Sequence, residues 1–416
     1  MHEATQARLQ AAPATQPARD TVLEPARDAL VRTGQELNFQ AHQGAQGLAA
    51  LTPEWSARLA AMPGVRFMHF PQWYRAYLNS GRSQESRTWF IAVHRGQELV
   101  AVIPLQFQAY RAGWLAPRLI GTIDDDELQL SDFVFDDTPE NRCLLQELTG
   151  WLRRQRTLRW DELRLRKVCE DSVLAASARH RLPRAMVPLQ YDGSAWFDTA
   201  GSYDQATKAM SGTFKRNLRR LSRRAEETAA LRFESCQGGA GLGAAFDTFI
   251  AIEASGWKGT SGTASAIRCQ PAMLAFYREL VQEFGALDAC VINLLWHGTE
   301  PVAGQFCLRV GRTLNILKIG FSDAHSNFAP GNLLLERTIR NCCEDDGIDV
   351  LSLVNEPPWA RNFKPLSKGV WSYYAPNWNP RGLLVHLGLL AKRRWDAHKA
   401  HAAAAARPAA PPAADE

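Results

Sequence analysis

The segment from Thr313 to Asn341, TLNILKIGFSDAHSNFAPGNLLLERTIRN, gathers several residues able to do chemistry. Its pattern predicts a strand, a short polar loop and a helix opened by Pro330-Gly331-Asn332. The first turn of a helix presents free N–H groups and the positive end of the dipole, and a glycine there admits a close neighbour. Pro330, Gly331 and Asn332 are therefore a candidate phosphate cradle. An ordinary strand-to-helix connection with an early proline reads the same way. The loop carries Asp323 and His325. An imidazole titrates where a general base must at neutral pH, whereas Asp323 serves equally well as a turn residue. Lys318 stands in an otherwise apolar strand, where it faces solvent or meets an anionic substrate.

A second concentration of chemistry is cationic. Residues 208–224, KAMSGTFKRNLRRLSRR, hold seven basic residues and no acid. At about 100° per residue, Lys208, Lys215, Arg216, Arg219, Arg220, Arg223 and Arg224 share one half of a helix, opposite Phe214, Leu218, Leu221 and Ala225. Like charges three and four residues apart repel. A solvated charged face is one reading. An anionic partner is the other: an acidic patch, a nucleotide-sugar or other phosphate-bearing substrate, RNA, or a membrane surface. Residues 381–400 form a further basic amphipathic helix, which packs on the protein or lies along a bilayer.

The elements around these residues repeat. RGQELVA at Arg95–Ala101 and HGTEPVA at His297–Ala303 share G-x-E-x-V-A between strand-like runs, each predicting a β-hairpin. Each follows a helical segment rich in aromatics, around Trp73-Tyr74 and Phe276-Tyr277. Two similar units in tandem are expected. The boundaries read as a disordered leader at 1–48, an N-terminal unit at 49–190, a C-terminal unit at 191–380, the basic helix at 381–400 and an Ala/Pro tail at 401–416. The fold class is α/β (α+β), each unit a mixed sheet flanked by helices.

Composition limits the rest. The chain has 416 residues, 46% of them hydrophobic, with a net charge of +5. No apolar run approaches the ~18 residues that span a bilayer, and the N-terminus lacks the apolar core of a secretory signal. A cytoplasmic protein is expected, at most peripheral to the inner membrane. The eight cysteines show no metal-like spacing, so no metal is expected.

The order of FMHFPQWYRAYL, WFIAVHRGQELVAVIPL, FKRNLRRLSRR, IEASGWKG, HGTEPVAG and LKIGFSDAHSNFAPGNLLLE resembles the GNAT acyltransferase superfamily. More narrowly it resembles the BioF2-like, CelD-type branch related to the FemAB peptidyltransferases, over residues 65–378. The resemblance implies that Leu314–Phe321, with Lys318 and Gly320, pairs with the pantetheine of acetyl-CoA or another acyl-CoA. The pyrophosphate would then sit at Pro330, Gly331 and Asn332. Only Gly331 remains of the usual glycine-rich pyrophosphate loop. The acceptor would meet Glu253, Trp257 and Lys258, together with Arg361 and Lys364 after the last strand. Asp323, His325 and Glu356 are the candidate bases for attack by an amine or hydroxyl. Arg219 and Arg220 would hold an anionic part of the substrate.

The activity implied is acetylation of a sugar, nucleotide-sugar or polysaccharide precursor, as in exopolysaccharide or cellulose-type biosynthesis. Alternatives are a FemAB-like transferase using aminoacyl-tRNA, with the basic helix on the RNA, and a catalytically degenerate scaffold in envelope-polymer assembly.

Overall fold

The computed structural model describes residues 37–405 apart from 84, 110–116, 140, 156–157, 182–185, 257 and 260–261. In the first half, β1 (Leu37–Gln43), α1 (Gly44–Ala61) and α2 (Pro71–Asn79) precede β2 (Thr88–Arg95), β3 (Glu98–Ala109) and β4 (Arg118–Gly121). Then come α3 (Leu144–Arg154), β5 (Glu162–Cys169), α4 (Val173–Arg181) and β6 (Val187–Asp198). In the second half, α5 (Tyr203–Ala206), α6 (Gly212–Glu226), β7 (Leu231–Gln237), α7 (Leu242–Ser255) and α8 (Pro271–Gly285) lead to β8 (Cys290–His297), β9 (Glu300–Val310) and β10 (Thr313–Phe321). The chain ends with α9 (Pro330–Glu344), β11 (Val350–Ser352), β12 (Leu366–Pro376) and α10 (Pro380–Ala405).

The described strands form one mixed sheet in the order β1-β2-β3-β4-β5-β12-β6-β11-β10-β9-β8-β7. That order is a palindrome of units. A strand, two helices, an antiparallel meander, a helix and a parallel partner occur once as β1–β5 and again as β7–β11. Strands β12 and β6 join the two copies at the centre. These are two units in tandem, each contributing a mixed sheet flanked by helices.

The echoed hairpins match in detail. Gly96 and Gly298 both take φ +62°, which glycine adopts without the Cβ penalty a two-residue turn imposes on other residues. Each hairpin then slips register at the echoed valine, between Val93/His94 and between Leu295/Trp296. The aromatic helices α2 and α8 pack on each other, with Trp73 and Phe276 edge to face at 5.3 Å and Phe70 against Phe284 at 5.7 Å. Such pairs contribute about 0.5–1.5 kcal/mol beyond burial. Helices α1, α2, α7 and α8 share one core on one side of the sheet. A second core lies under α3 and α4, and a third under α6 and α9.

Two boundaries differ from expectation. Residues 37–48, assigned to the leader, form β1 and the start of α1, and β1 pairs with β2 along its whole length. The remainder of that leader, like residues 406–416 of the tail, lies outside the described residues. The basic helix begins at Gly212 rather than Lys208, because Ser211 caps it by accepting the Phe214 N–H. Helix α10 packs by Gly382 and His386 but leaves Leu383, Leu384 and Leu387 exposed.

Candidate functional site

Strand β10 lies between β9 and β11 but pairs with β11 over only three positions, the last being Asn315↔Ser352. Beyond them β10 stays with β9 to Phe321, while Leu353 and Asn355 hydrogen-bond along β6 through Ala195. The two arms diverge and leave a wedge-shaped gap. A bulge between Ile316 and Lys318 marks where the divergence begins.

The gap exposes backbone that a full sheet would satisfy, and side chains meet part of it. The Ser322 N–H donates to Val302, so Gly320 faces β9 and Ile319 turns its carbonyl to the gap. That carbonyl accepts from Lys258 Nζ at 3.0 Å, and the Leu317 carbonyl accepts from Gln129 Nε2 at 3.0 Å. Lys258 Nζ also lies 3.4 Å from Glu253 Oε1, whose other oxygen accepts the Ile267 N–H at 2.8 Å. Burial holds the Lys258 ammonium below its ordinary pKa against the opposing pull of Glu253, and nearby Lys318 lowers it further. Gly320 is needed here because a Cβ would lie 2.7 Å from the Glu253 Cα.

An acidic loop from the first unit closes this cluster. Glu127 receives Lys318 Nζ at 3.1 and 3.2 Å and the Tyr277 hydroxyl at 2.8 Å. Burial and the Glu127 carboxylate push the Tyr277 phenol well above its usual range. Arg82 clamps Asp125 at 2.7 Å, and Lys167 Nζ holds the carbonyls of Asp125 and Leu128 at 2.6 and 3.2 Å. The loop is thus fixed from its own unit while gripping the edge of β10 in the other. Sequence reasoning missed Glu127, Gln129 and Tyr277 as site residues. The run Asp124-Asp125-Asp126-Glu127 was the available signal, since four adjacent acids need cations in the fold.

The expected site residues divide. Glu253, Lys258, Lys318 and Gly320 come together at the gap. Trp257 lies outside the described residues. Asp323 borders the same loop as Lys258, since a Cβ on Gly256 would lie 3.0 Å from its Oδ2. Glu356 follows the opposite arm and accepts from Ser367 Oγ at 2.7 Å. His325 turns instead toward the β8–β9 turn, with Nδ1 3.1 Å from Ser322 Oγ, Nε2 3.3 Å from Glu300, and its ring against His297 and Phe328. Arg361 and Lys364 are exposed in and just after the short helix Pro358–Phe363.

The start of α9 offers little to a phosphate. Pro330 has no N–H, Ala329 donates to Ser326, and Asn332 and Leu333 both donate to Ala329. Gly331 has the one N–H of these five left for a ligand. A Cβ on Gly331 would make ordinary contact with the Phe321 ring at 3.4 Å, so no close backbone approach demands the glycine.

On α6, Leu218, Leu221 and Ala225 are buried, and Arg216, Arg219, Arg220, Arg223 and Arg224 are exposed. Arg216 and Arg220 donate to Thr213 and Asn217 of their own helix rather than to an acid. Arg219 lines a cleft of about 160 Å³ with Lys215, Arg337 and Arg340. Among the described residues no group of His, Cys, Asp or Glu is arranged to hold a metal, and no helix is long and apolar enough to cross a membrane.

The parting of β10 from its parallel neighbour precedes the central helix α9. Residues 212–362 match the family model described as acetyltransferase (GNAT) domain. No curated protein matches the chain by sequence. Among solved structures it is similar to FemX, at 10% identity and a TM-score of 0.50 over 80% of this chain and 98% of that one. It is also similar to L-PGS from Bacillus licheniformis, at 12% identity and a TM-score of 0.48 over 80% and 95%. A tandem GNAT protein from the clavulanic acid biosynthesis pathway aligns at 13% identity and a TM-score of 0.42 over 82% and 98%. The likeness to FemX is one of fold.

Proposed function

We propose that this protein transfers an acyl group to an amine or hydroxyl in the gap between β10 and residues 353–356. The carrying observation is the parting of β10 from β11 with the Lys258 ammonium bonded to the exposed edge. The nucleophile attacks the acyl carbon, and its new bond forms as the bond to the donor's sulfur or ester oxygen breaks. The proton of the nucleophile passes to Asp323 or Glu356, and the leaving group takes up a proton from solvent. Lys258 supplies positive charge where the tetrahedral oxyanion develops. His325 is set aside as a base because it faces the β8–β9 turn.

Family resemblance supports acetyl-CoA as donor and a sugar, nucleotide-sugar or polysaccharide precursor as acceptor. Calorimetric titration with acetyl-CoA tests the donor, with Gly331→Glu as the control that blocks the α9 start. No binding at millimolar ligand overturns it. One observation favours a second donor. The α9 start leaves a single N–H for a pyrophosphate, while α6 presents five exposed arginines, as an aminoacyl-tRNA donor would require. Steeply salt-dependent tRNA binding, lost on converting Arg219, Arg220 and Arg223 to Glu, selects that donor. Salt-independent or absent binding rejects it.

A further inference from the structure

A cleft of about 610 Å³ opens at the root of the gap, beside the segment Met62–Met68 of the first unit. Its floor includes Asn315 and Ser352, the last residues paired before β10 and β11 part, and Ser194 of β6. Its rim comes from the first unit and from β12. Arg66 Nη2 and Lys368 Nζ each lie 2.7 Å from Asp171, on opposite oxygens. The mouth therefore holds two cations against one carboxylate, and the apolar side chains of Met68 and Leu130 form a wall.

Two features mark this cleft as built for a ligand. Ser194 is 1% exposed, and its hydroxyl has no hydrogen-bond partner in the protein. A buried, unsatisfied hydroxyl costs about 1–3 kcal/mol, which a bound hydroxyl or amine would remove. The Ser352 hydroxyl accepts the Val354 N–H at 3.1 Å and so keeps its own proton to donate. At the rim, Asp171 is held far below the ordinary carboxylate pKa: burial alone would raise it, but Arg66 and Lys368 outweigh that. Asp171 occupies both cations in the same way that an incoming dianion would.

We infer that this cleft is the acceptor pocket and that it takes a phosphorylated sugar. The phosphate bridges Arg66 and Lys368 in place of Asp171, and the ring hydroxyls or amine lie over Ser194, Asn315 and Ser352. The inference rests on acyl transfer at the gap, since it places the acceptor's nucleophile at the point where the arms part. A phosphate brings two charges and three acceptor oxygens where Asp171 offers one charge and two, so it competes well for the pair.

Calorimetric titration without any acyl donor tests the pocket separately from the reaction. Glucosamine 6-phosphate is the probe, and glucosamine is its uncharged-tail control. The expected result is binding of the phosphorylated sugar at least tenfold tighter than the free one. Lys368→Gln and Arg66→Gln each weaken it about tenfold, as for loss of one charge-assisted contact. Asp171→Asn, which removes the competing carboxylate, strengthens it. Circular dichroism confirms that each variant is folded, and Ser194→Ala, which leaves the rim intact, gives a second handle by weakening both sugars equally. Equal affinity for the two sugars, no binding at millimolar concentration, or indifference to Lys368→Gln and Asp171→Asn overturns the pocket assignment. Binding as expected with no acyl donor bound or turned over would leave the pocket standing and remove the transferase reading.

Discussion

Replacing Glu127 by Gln tests how the first unit is fastened to the reactive edge of the second. The Glu127 side chain is 6% exposed and meets both Lys318 and the buried Tyr277 hydroxyl. Removing one partner of a buried ion pair costs about 3–5 kcal/mol, because the other charge is left uncompensated. The Lys318 side chain is 23% exposed, so water reaches it and lowers that cost to roughly 2–3 kcal/mol. Lys318→Met leaves the more deeply buried carboxylate unpaired and should cost about 3–4 kcal/mol. The double variant leaves no stranded charge and should recover about 2 kcal/mol relative to the sum. Urea unfolding at pH 7 of all four proteins closes the cycle, with the slope monitored for a change in two-state behaviour. Costs that add to within about 0.5 kcal/mol would refute the coupling.

Gly320→Ala should destabilise the fold by about 1–3 kcal/mol in the same unfolding assay, because its Cβ would press on Glu253 at 2.7 Å. Gly331→Ala should cost nothing and gain about 0.4–1 kcal/mol, since its Cβ would find ordinary contact at the first turn of α9. Lys258→Met should lower kcat for acyl transfer by about 10²–10³ and, by stranding the buried Glu253 carboxylate, lower the melting temperature as well, Lys258→Arg recovering part of both. Asp161 is completely buried at its side chain and bonded to Arg118 at 2.7 Å and to its backbone N–H at 2.9 Å. Burial alone would raise its pKa, yet the hydrogen bonds and charge of Arg118 hold it below the ordinary value. Its stabilisation is therefore complete above the unfolded carboxylate pKa of about 4 and is lost as the pH falls below that toward the lower folded value. Asp161→Asn should reduce the slope of stability against pH in that acid window, measured by chemical denaturation.

The meander hairpins were legible because their turns carry glycines at positions that need positive φ, and because apolar alternation runs through both strands. The basic helix was legible for a similar reason: Leu218, Leu221 and Ala225 recur at helical spacing. Strand β1 was not, since LNFQAHQ is short and sits in an Ala- and Gln-rich stretch whose composition resembles disorder. The gap itself is invisible in one sequence. It arises because β11 is three residues long and the chain after it follows β6, a fact of pairing rather than of pattern. The acidic loop was missed because Glu127 and Lys318 meet only in the folded chain, across the two units. His325 shows the converse: an imidazole in the expected loop that packs on His297 because the loop winds toward the neighbouring hairpin.

The place of β12 governs how the molecule can be made. It lies between β5 and β6, so both strands keep an open edge until residues 366–376 arrive. On a ribosome adding about 5–20 residues per second, the roughly 200 residues after β5 take about 10–40 s to appear. Through that interval the nascent first unit carries a strand of eight residues, Glu162–Cys169, paired with β4 on one edge and open on the other, and that open backbone is prone to intermolecular pairing. A stop codon anywhere before Leu366 would leave that edge open permanently. The two halves, though each repeats the same plan, are thus a single unit of biosynthesis and of quality control.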